Sequence, residues 1–147
     1  MLANNKVCVW NAPYGATTVP GVFGFPAFTA VGTATARNPA TTNILTRLKR
    51  IGYVSAATAG ALTSLRVPTA GFTIGGDASN FGGFNTIIRF GISDAALISG
   101  ARMFIGMSSA TGAATNVDPA TLTNSIGIGH NAADTNLYIL WRKCCTN

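Results

Sequence analysis

The chain has 147 residues, of which 10 are basic and 4 are acidic, so its formal net charge is +6. Hydrophobic residues make up 48% of the chain, which excludes disorder, and charged residues only 10%, which argues against long solvated helices rich in Glu and Lys. Alanine, threonine and glycine together supply 59 residues, and this composition favours one β-rich domain.

The longest uncharged stretch, residues 7–36, does not predict a membrane helix. Pro13, Pro20 and Pro26 interrupt it, whereas a spanning helix needs about 20 nearly continuous apolar residues. The first residues also lack the apolar core of a secretory signal. We therefore expect synthesis in the cytoplasm and no membrane partner. A surface with so few charges favours a subunit of an assembly over a free monomer.

The N-terminal part reads as an arm. A short strand is predicted at residues 7–10, and the Pro- and Gly-rich residues 11–26 exclude long regular structure. We place the arm at residues 1–27. Its aromatic side chains either pack on the domain or contact a neighbouring molecule, and the candidates for partner binding are Trp10, Tyr14, Phe23 and Phe25.

The next elements are strands. Residues 28–36 alternate threonine with small apolar residues, which is typical of a half-exposed strand that ends at Asn38-Pro39. Residues 42–54 form an exposed strand pair, or alternatively a helix with Ile44, Leu48 and Ile51 on one stripe. A strand at residues 62–67 ends at Pro68.

The C-terminal half has the strongest strand pattern, at residues 84–92, where Phe84, Ile88 and Ile92 share one face with Thr86 and Phe90. Ser93 is a suitable N-cap for one short helix that extends to Ile98. Further strands are predicted at residues 71–74, 102–107, 125–129 and 136–141. The whole pattern predicts an all-β fold, an antiparallel β-sandwich or jelly roll, with a domain at residues 28–141 and a polar tail at residues 142–147.

Few residues offer catalytic or metal chemistry. His130 and Asp134 are spaced as a base and its orienting acid, but no nucleophile motif accompanies them, so a turn histidine bonded to Asp134 or to a backbone carbonyl is favoured. The cysteines, Cys8, Cys144 and Cys145, lack zinc-site spacing. The sequence predicts no enzyme, no catalytic residue, no metal site and no cofactor.

The positive charge has two interpretations. Arg47, Lys49 and Arg50 lie close together, but no aromatic RNA-binding platform or recognition helix accompanies them, so nucleic acid is disfavoured. We expect these three residues to contact an acidic protein surface instead.

Several short sequence motifs are specific when they occur together, although none of them is diagnostic alone. They comprise Trp10-Asn11-Ala12-Pro13, Arg50-Ile51-Gly52-Tyr53, Arg89-Phe90-Gly91, Ala101-Arg102-x-Phe104-x-Gly106, Asn116-Val117-x-Pro119, Ser125-Ile126-Gly127-x-Gly129-His130 and Asp134-Thr135-Asn136-Leu137. Over residues 10–141 the chain resembles virion structural proteins of tailed bacteriophages, particularly tail-fibre, head-fibre and decoration proteins.

The resemblance implies a non-enzymatic β-sandwich module that forms a homo-oligomer on the virion and binds capsid or tail proteins. The alternative is a receptor-binding, lectin-like module in which Trp10, Tyr14 or Tyr138 stacks on a host surface glycan. Related proteins usually continue with several strands after residue 141, whereas this chain has the polar tail. Either the chain is a truncated form, or the missing strands come from a neighbouring subunit, and the second alternative makes strand donation between subunits a hypothesis.

Overall fold

The computed structural model describes residues 27–39, 50–70, 86–88, 90–92 and 98–143. The chain divides into two compact units, Met1–Gly71 and Phe72–Asn147. Regular structure in the described residues consists of seven strands and one short 3-10 turn, Pro119–Thr121. The predicted all-β class is confirmed, and the strands form small antiparallel sheets.

The first unit contains two strand pairs. β1 (Thr29–Val31) pairs with β4 (Ser64–Arg66), and β2 (Thr33–Arg37) pairs with β3 (Arg50–Val54). The strand predicted at residues 28–36 is present, but it is interrupted where the pairing partner changes.

Gly32 causes this interruption. Its φ is +100°, a conformation that favours glycine, and the Thr63 hydroxyl and the Val54 carbonyl occupy the space that a Cβ would need. The Thr63 hydroxyl also donates a hydrogen bond of 2.9 Å to the Val31 carbonyl. On one side of Gly32, Val31 pairs with Ser64, and on the other side Thr33 pairs with Val54. Residues 55–63, which connect Val54 to Ser64, therefore form a loop that begins and ends beside Gly32.

The second unit contains a three-stranded antiparallel sheet. Its strands are β5 (Met103–Ser108), β6 (Ser125–His130) and β7 (Tyr138–Arg142), with β6 in the centre. All three agree with the strands predicted from the sequence, and their ends differ from the prediction by at most two residues. In β6 isoleucine alternates with glycine, which is the period-2 signal, whereas β7 is apolar at successive positions.

The register gives this sheet two different faces. One, the isoleucine face, consists of Met103, Ile105, Met107, Ile126, Ile128, His130, Ile139 and Trp141. The other, the glycine face, consists of Phe104, Gly106, Ser108, Ser125, Gly127, Gly129, Tyr138, Leu140 and Arg142.

The strand predicted at residues 84–92 is not found in its described part. Residues 86–88 and 90–92 have no strand structure and are exposed. A period-2 pattern specifies which side chains share a face, but a strand also requires a backbone partner, and no described strand pairs with this segment.

Other predictions fall outside the described residues. These are the arm up to residue 26, the strands at residues 7–10 and 71–74, and most of the short helix at residues 93–98. The predicted boundaries of the domain, residues 28 and 141, stay predictions.

The described residues do not form a dry core. None of their side chains is fully buried, and fourteen large hydrophobic residues are exposed. Folded domains usually bury side chains of this size. These sheets therefore leave an unusual amount of apolar surface uncovered, and the predicted sandwich or jelly roll would need further covering layers.

Candidate assembly surface

The isoleucine face is the largest apolar feature of the three-stranded sheet. Its exposure increases toward β7: Ile105 and Ile128 are half-buried, whereas Ile139 is 84% exposed and Trp141 is 73% exposed. Ile126 of β6 lies directly opposite Trp141 and is 46% exposed. Contiguous apolar surface of this kind marks a site of protein association.

β7 is also an edge strand within the described residues, since only β6 pairs with it there. Every second residue of an antiparallel edge strand directs its N–H and C=O away from the sheet. These groups are available to another strand. The apolar surface and the free backbone edge thus coincide at Tyr138–Arg142.

The glycine face has a different packing. A Cβ at Gly127 would overlap the Ile105 carbonyl and come within 2.9 Å of the Phe104 ring. A Cβ at Gly129 would overlap the Met103 carbonyl and approach the Leu140 side chain to 3.1 Å. The glycines of β6 therefore allow neighbouring strands and two large side chains to lie close to its backbone.

A polar network fixes the loops that connect these strands. The Asp118 carboxylate accepts hydrogen bonds from Arg102 Nε at 2.6 Å and from the Ala132 amide at 3.1 Å. Arg102 also donates to Asn116 Oδ1 at 3.2 Å. These bonds connect the beginning of β5 with both loops that flank β6.

The Ala132 amide, and after it Arg102, hold the pKa of Asp118 below its usual range. Both donors favour the charged carboxylate. The charged carboxylate of Asp118 therefore has a structural role, because its hydrogen bonds hold these loops together.

A second set of bonds involves Asn131. Its amide N–H and its side-chain Nδ2 donate to Asp134 Oδ2 at 2.7 and 2.9 Å, and its Oδ1 accepts from the Ala120 amide at 3.0 Å. His130 is 3% exposed, and its Nδ1 lies 2.9 Å from the Asn131 carbonyl, to which it donates. The predicted bond of His130 to a backbone carbonyl is confirmed, and the carboxylate of Asp134 is bonded to Asn131.

The first unit carries the excess positive charge of the chain. Residues 1–71 contain six lysines and arginines and no acid, whereas residues 72–147 contain four of each, so the formal net charge of +6 lies entirely in the first unit. The register places Arg37 directly opposite Arg50 on β2 and β3. The Arg37 side chain lies over Gly52, and Arg50 Nε is buried without a hydrogen-bond partner among the described residues.

Comparisons with protein-family models, with curated proteins and with solved structures found no match to this chain. The part of the chain that the structure describes contains no helix long and apolar enough to cross a membrane. The same residues contain no group of three or more His, Cys, Asp or Glu side chains arranged to hold a metal ion.

Of the seven residues predicted to bind partners, only Arg50 lies in the described part of the chain, at the beginning of β3. The others, Trp10, Tyr14, Phe23, Phe25, Arg47 and Lys49, lie outside it. Sequence reasoning did not identify Ile139 and Trp141 as surface residues. The signal for them was the run of large apolar residues at successive positions of β7. Such a strand is apolar on both faces, and each face needs a layer or a partner to cover it.

Proposed function

We propose that this protein is a non-enzymatic structural subunit of a bacteriophage virion, a fibre subunit or capsid decoration protein that works as an oligomer. The observation that carries the proposal is the exposed isoleucine face beside the free edge of β7. An isolated molecule would keep this surface in water, whereas association removes it at a gain of roughly 25 cal/mol per Å². The phage assignment itself comes from the resemblance of the motifs.

The polar side chains of the second unit support a structural role. Asp118 and Asp134 are both engaged in bonds that hold loops, and the buried ring of His130 is bonded to the backbone. An active site needs such groups to face a substrate. Here they stabilise the connections around β6, on which the position of β7 depends.

The β-sandwich belongs to the same proposal. A sheet with an apolar face needs a second layer to cover it. The isoleucine face of β5, β6 and β7 is such a face, and in the oligomer a sheet of a neighbouring subunit would supply the second layer of the sandwich.

The direct test is made on particles. Mass spectrometry of purified virions from a phage that encodes this chain is expected to find it in stoichiometric copies. An amber mutant of the gene, grown in a host without a suppressor, is expected to yield particles that lack it. If the protein is made during infection but is absent from purified virions, the proposal is wrong.

The lectin-like alternative has one supporting observation, the exposed Tyr138 on the glycine face. Exposed aromatic rings provide surfaces on which a sugar ring can stack. A glycan array distinguishes the two functions: a receptor-binding module binds a defined glycan and loses it in Tyr138→Ala, whereas a purely structural subunit binds none.

A further inference from the structure

The geometry of β7 points to a second copy of this chain as the occupant of its free edge: two β7 strands pair antiparallel about a twofold axis at Leu140. This inference rests on the proposed function, because that function requires an oligomer. It adds which strand forms the interface, how the two strands are aligned and which symmetry relates the copies. A twofold interface uses the same patch on both copies, so the patch must complement itself.

The register follows from the two faces. In an antiparallel pair with a twofold axis perpendicular to the sheet, side chains on one face of one copy stay on that face in the other. Centring the axis on Leu140 pairs all five residues of β7, whereas moving it by one residue leaves two unpaired. The centred arrangement therefore forms the most backbone hydrogen bonds.

In this register the two most exposed side chains of the strand cover each other. Ile139 of each copy lies opposite Trp141 of the other, on a continuous isoleucine face that spans six strands. Aromatic and β-branched residues are a favourable cross-strand pair. On the opposite face, Tyr138 lies opposite Arg142, whose guanidinium donates a hydrogen bond to the Ala120 carbonyl of its own copy.

Charge also favours an identical partner. The second unit holds four acidic and four basic residues, so its own formal net charge is zero and it adds no net repulsion to the pairing of β7. The paired region is short, and we expect a dissociation constant of roughly 10–100 µM, in the range of small and reversible interfaces. Many copies on one particle would strengthen it through multivalency.

The test is sedimentation velocity of the full-length protein from about 1 to 500 µM, with the dissociation constant as the readout. Ile139→Lys is expected to weaken dimerisation at least tenfold, because it removes the apolar side chain that covers Trp141 and puts a strongly hydrated ammonium group in its place. Ile87→Lys is the matched control, since Ile87 belongs to the same unit and is 88% exposed, compared with 84% for Ile139. It is expected to change the constant less than twofold.

A mixing experiment tests the register. Ile139→Lys and Trp141→Glu each weaken their own homodimer, but in a mixed dimer the introduced ammonium group of one copy would face the introduced carboxylate of the other. The native Trp141 and Ile139 side chains would meet at the second contact. The mixture is therefore expected to associate at least fivefold more tightly than either variant alone. Unchanged circular dichroism and urea midpoints at about 1 µM, where the native protein is expected to be monomeric, show that each variant is folded.

The inference is overturned if the native protein stays monomeric at 500 µM, if Ile87→Lys is as disruptive as Ile139→Lys, or if mixing restores nothing. A protein that is present in virions but insensitive to Ile139→Lys would disprove the β7 pairing and leave the proposed function in place. A protein that dimerises through β7 but is absent from virions would disprove the proposed function and leave the β7 pairing in place.

Discussion

Asp118 is the residue on which the loops around β6 depend most directly. Its pKa is lowered in the folded protein by the Ala132 amide and by Arg102, whereas in the unfolded chain it returns to about 3.9. A lowered folded pKa means that the stabilisation is present above the unfolded value and is lost as the pH falls through the folded value.

We therefore expect Asp118→Asn to lower the melting temperature at pH 7 and the difference from the native protein to shrink as the pH falls below about 4. Thermal unfolding followed by circular dichroism from pH 7 to pH 2.5 measures this. Arg102→Gln removes the guanidinium that donates to Asp118 and Asn116 and keeps the Ala132 bond, so it should also lower the melting temperature at pH 7. A difference that stays constant with pH would contradict the role given to the carboxylate.

Gly127 is a second position where a single residue decides local structure. We expect Gly127→Ala to destabilise the protein by about 1–3 kcal/mol, because the new methyl group overlaps the Ile105 carbonyl and the Phe104 ring. The urea midpoint measures the change. Gly112→Ala is the matched control, since a Cβ there meets nothing within 4 Å, and equal losses in the two variants would refute the explanation.

At the scale of elements, β2 and β3 have an unfavourable charge pair. Arg37 and Arg50 are direct cross-strand neighbours, and like charges in that position destabilise a sheet. We expect Arg37→Glu to stabilise the protein by about 0.5–1 kcal/mol at low salt by forming an opposite pair.

The measurement is the urea midpoint at 20 mM and 500 mM NaCl, since salt screens the interaction. Asn38→Glu adds a similar charge just beyond the end of β2 and should give a smaller gain. Equal gains for both variants, or a gain that salt does not reduce, would show that the pair itself is unimportant.

The elements also show how far the sequence predicts the fold. Strands β5, β6 and β7 were predictable because each is a short apolar segment bounded by turn residues, with clear alternation in β6. The pattern at residues 84–92 was as strong, yet residues 86–88 and 90–92 form no strand, because alternation does not specify a backbone partner. The break at Gly32 was missed for a similar reason: it depends on Thr63 and Val54, which are distant in sequence.

The candidate surface was less predictable than the fold. Aromatic content directed attention to the N-terminal arm, whereas the described apolar surface is centred on Ile139 and Trp141. Composition predicted an associating protein, but only the register shows that these two side chains share a face at an open edge.

At the scale of the whole molecule, association and stability should be linked. If the native state is an oligomer, its melting temperature must rise with concentration, by about 2 °C for each tenfold increase for a dimer of this size. Differential scanning calorimetry from 10 to 1000 µM measures this. Ile139→Lys should reduce the dependence and Ile87→Lys should retain it, whereas a native melting temperature independent of concentration would indicate a stable monomer.

The connection at residues 55–63 gives the assembly a practical use. It leaves the strands beside Gly32, and residues 55–60 are exposed. Lengthening such a loop costs little, about 0.6 kcal/mol for each doubling. A foreign epitope spliced between Ala57 and Thr58 would accordingly be displayed once per subunit, which would make the oligomer that we propose a repetitive antigen array.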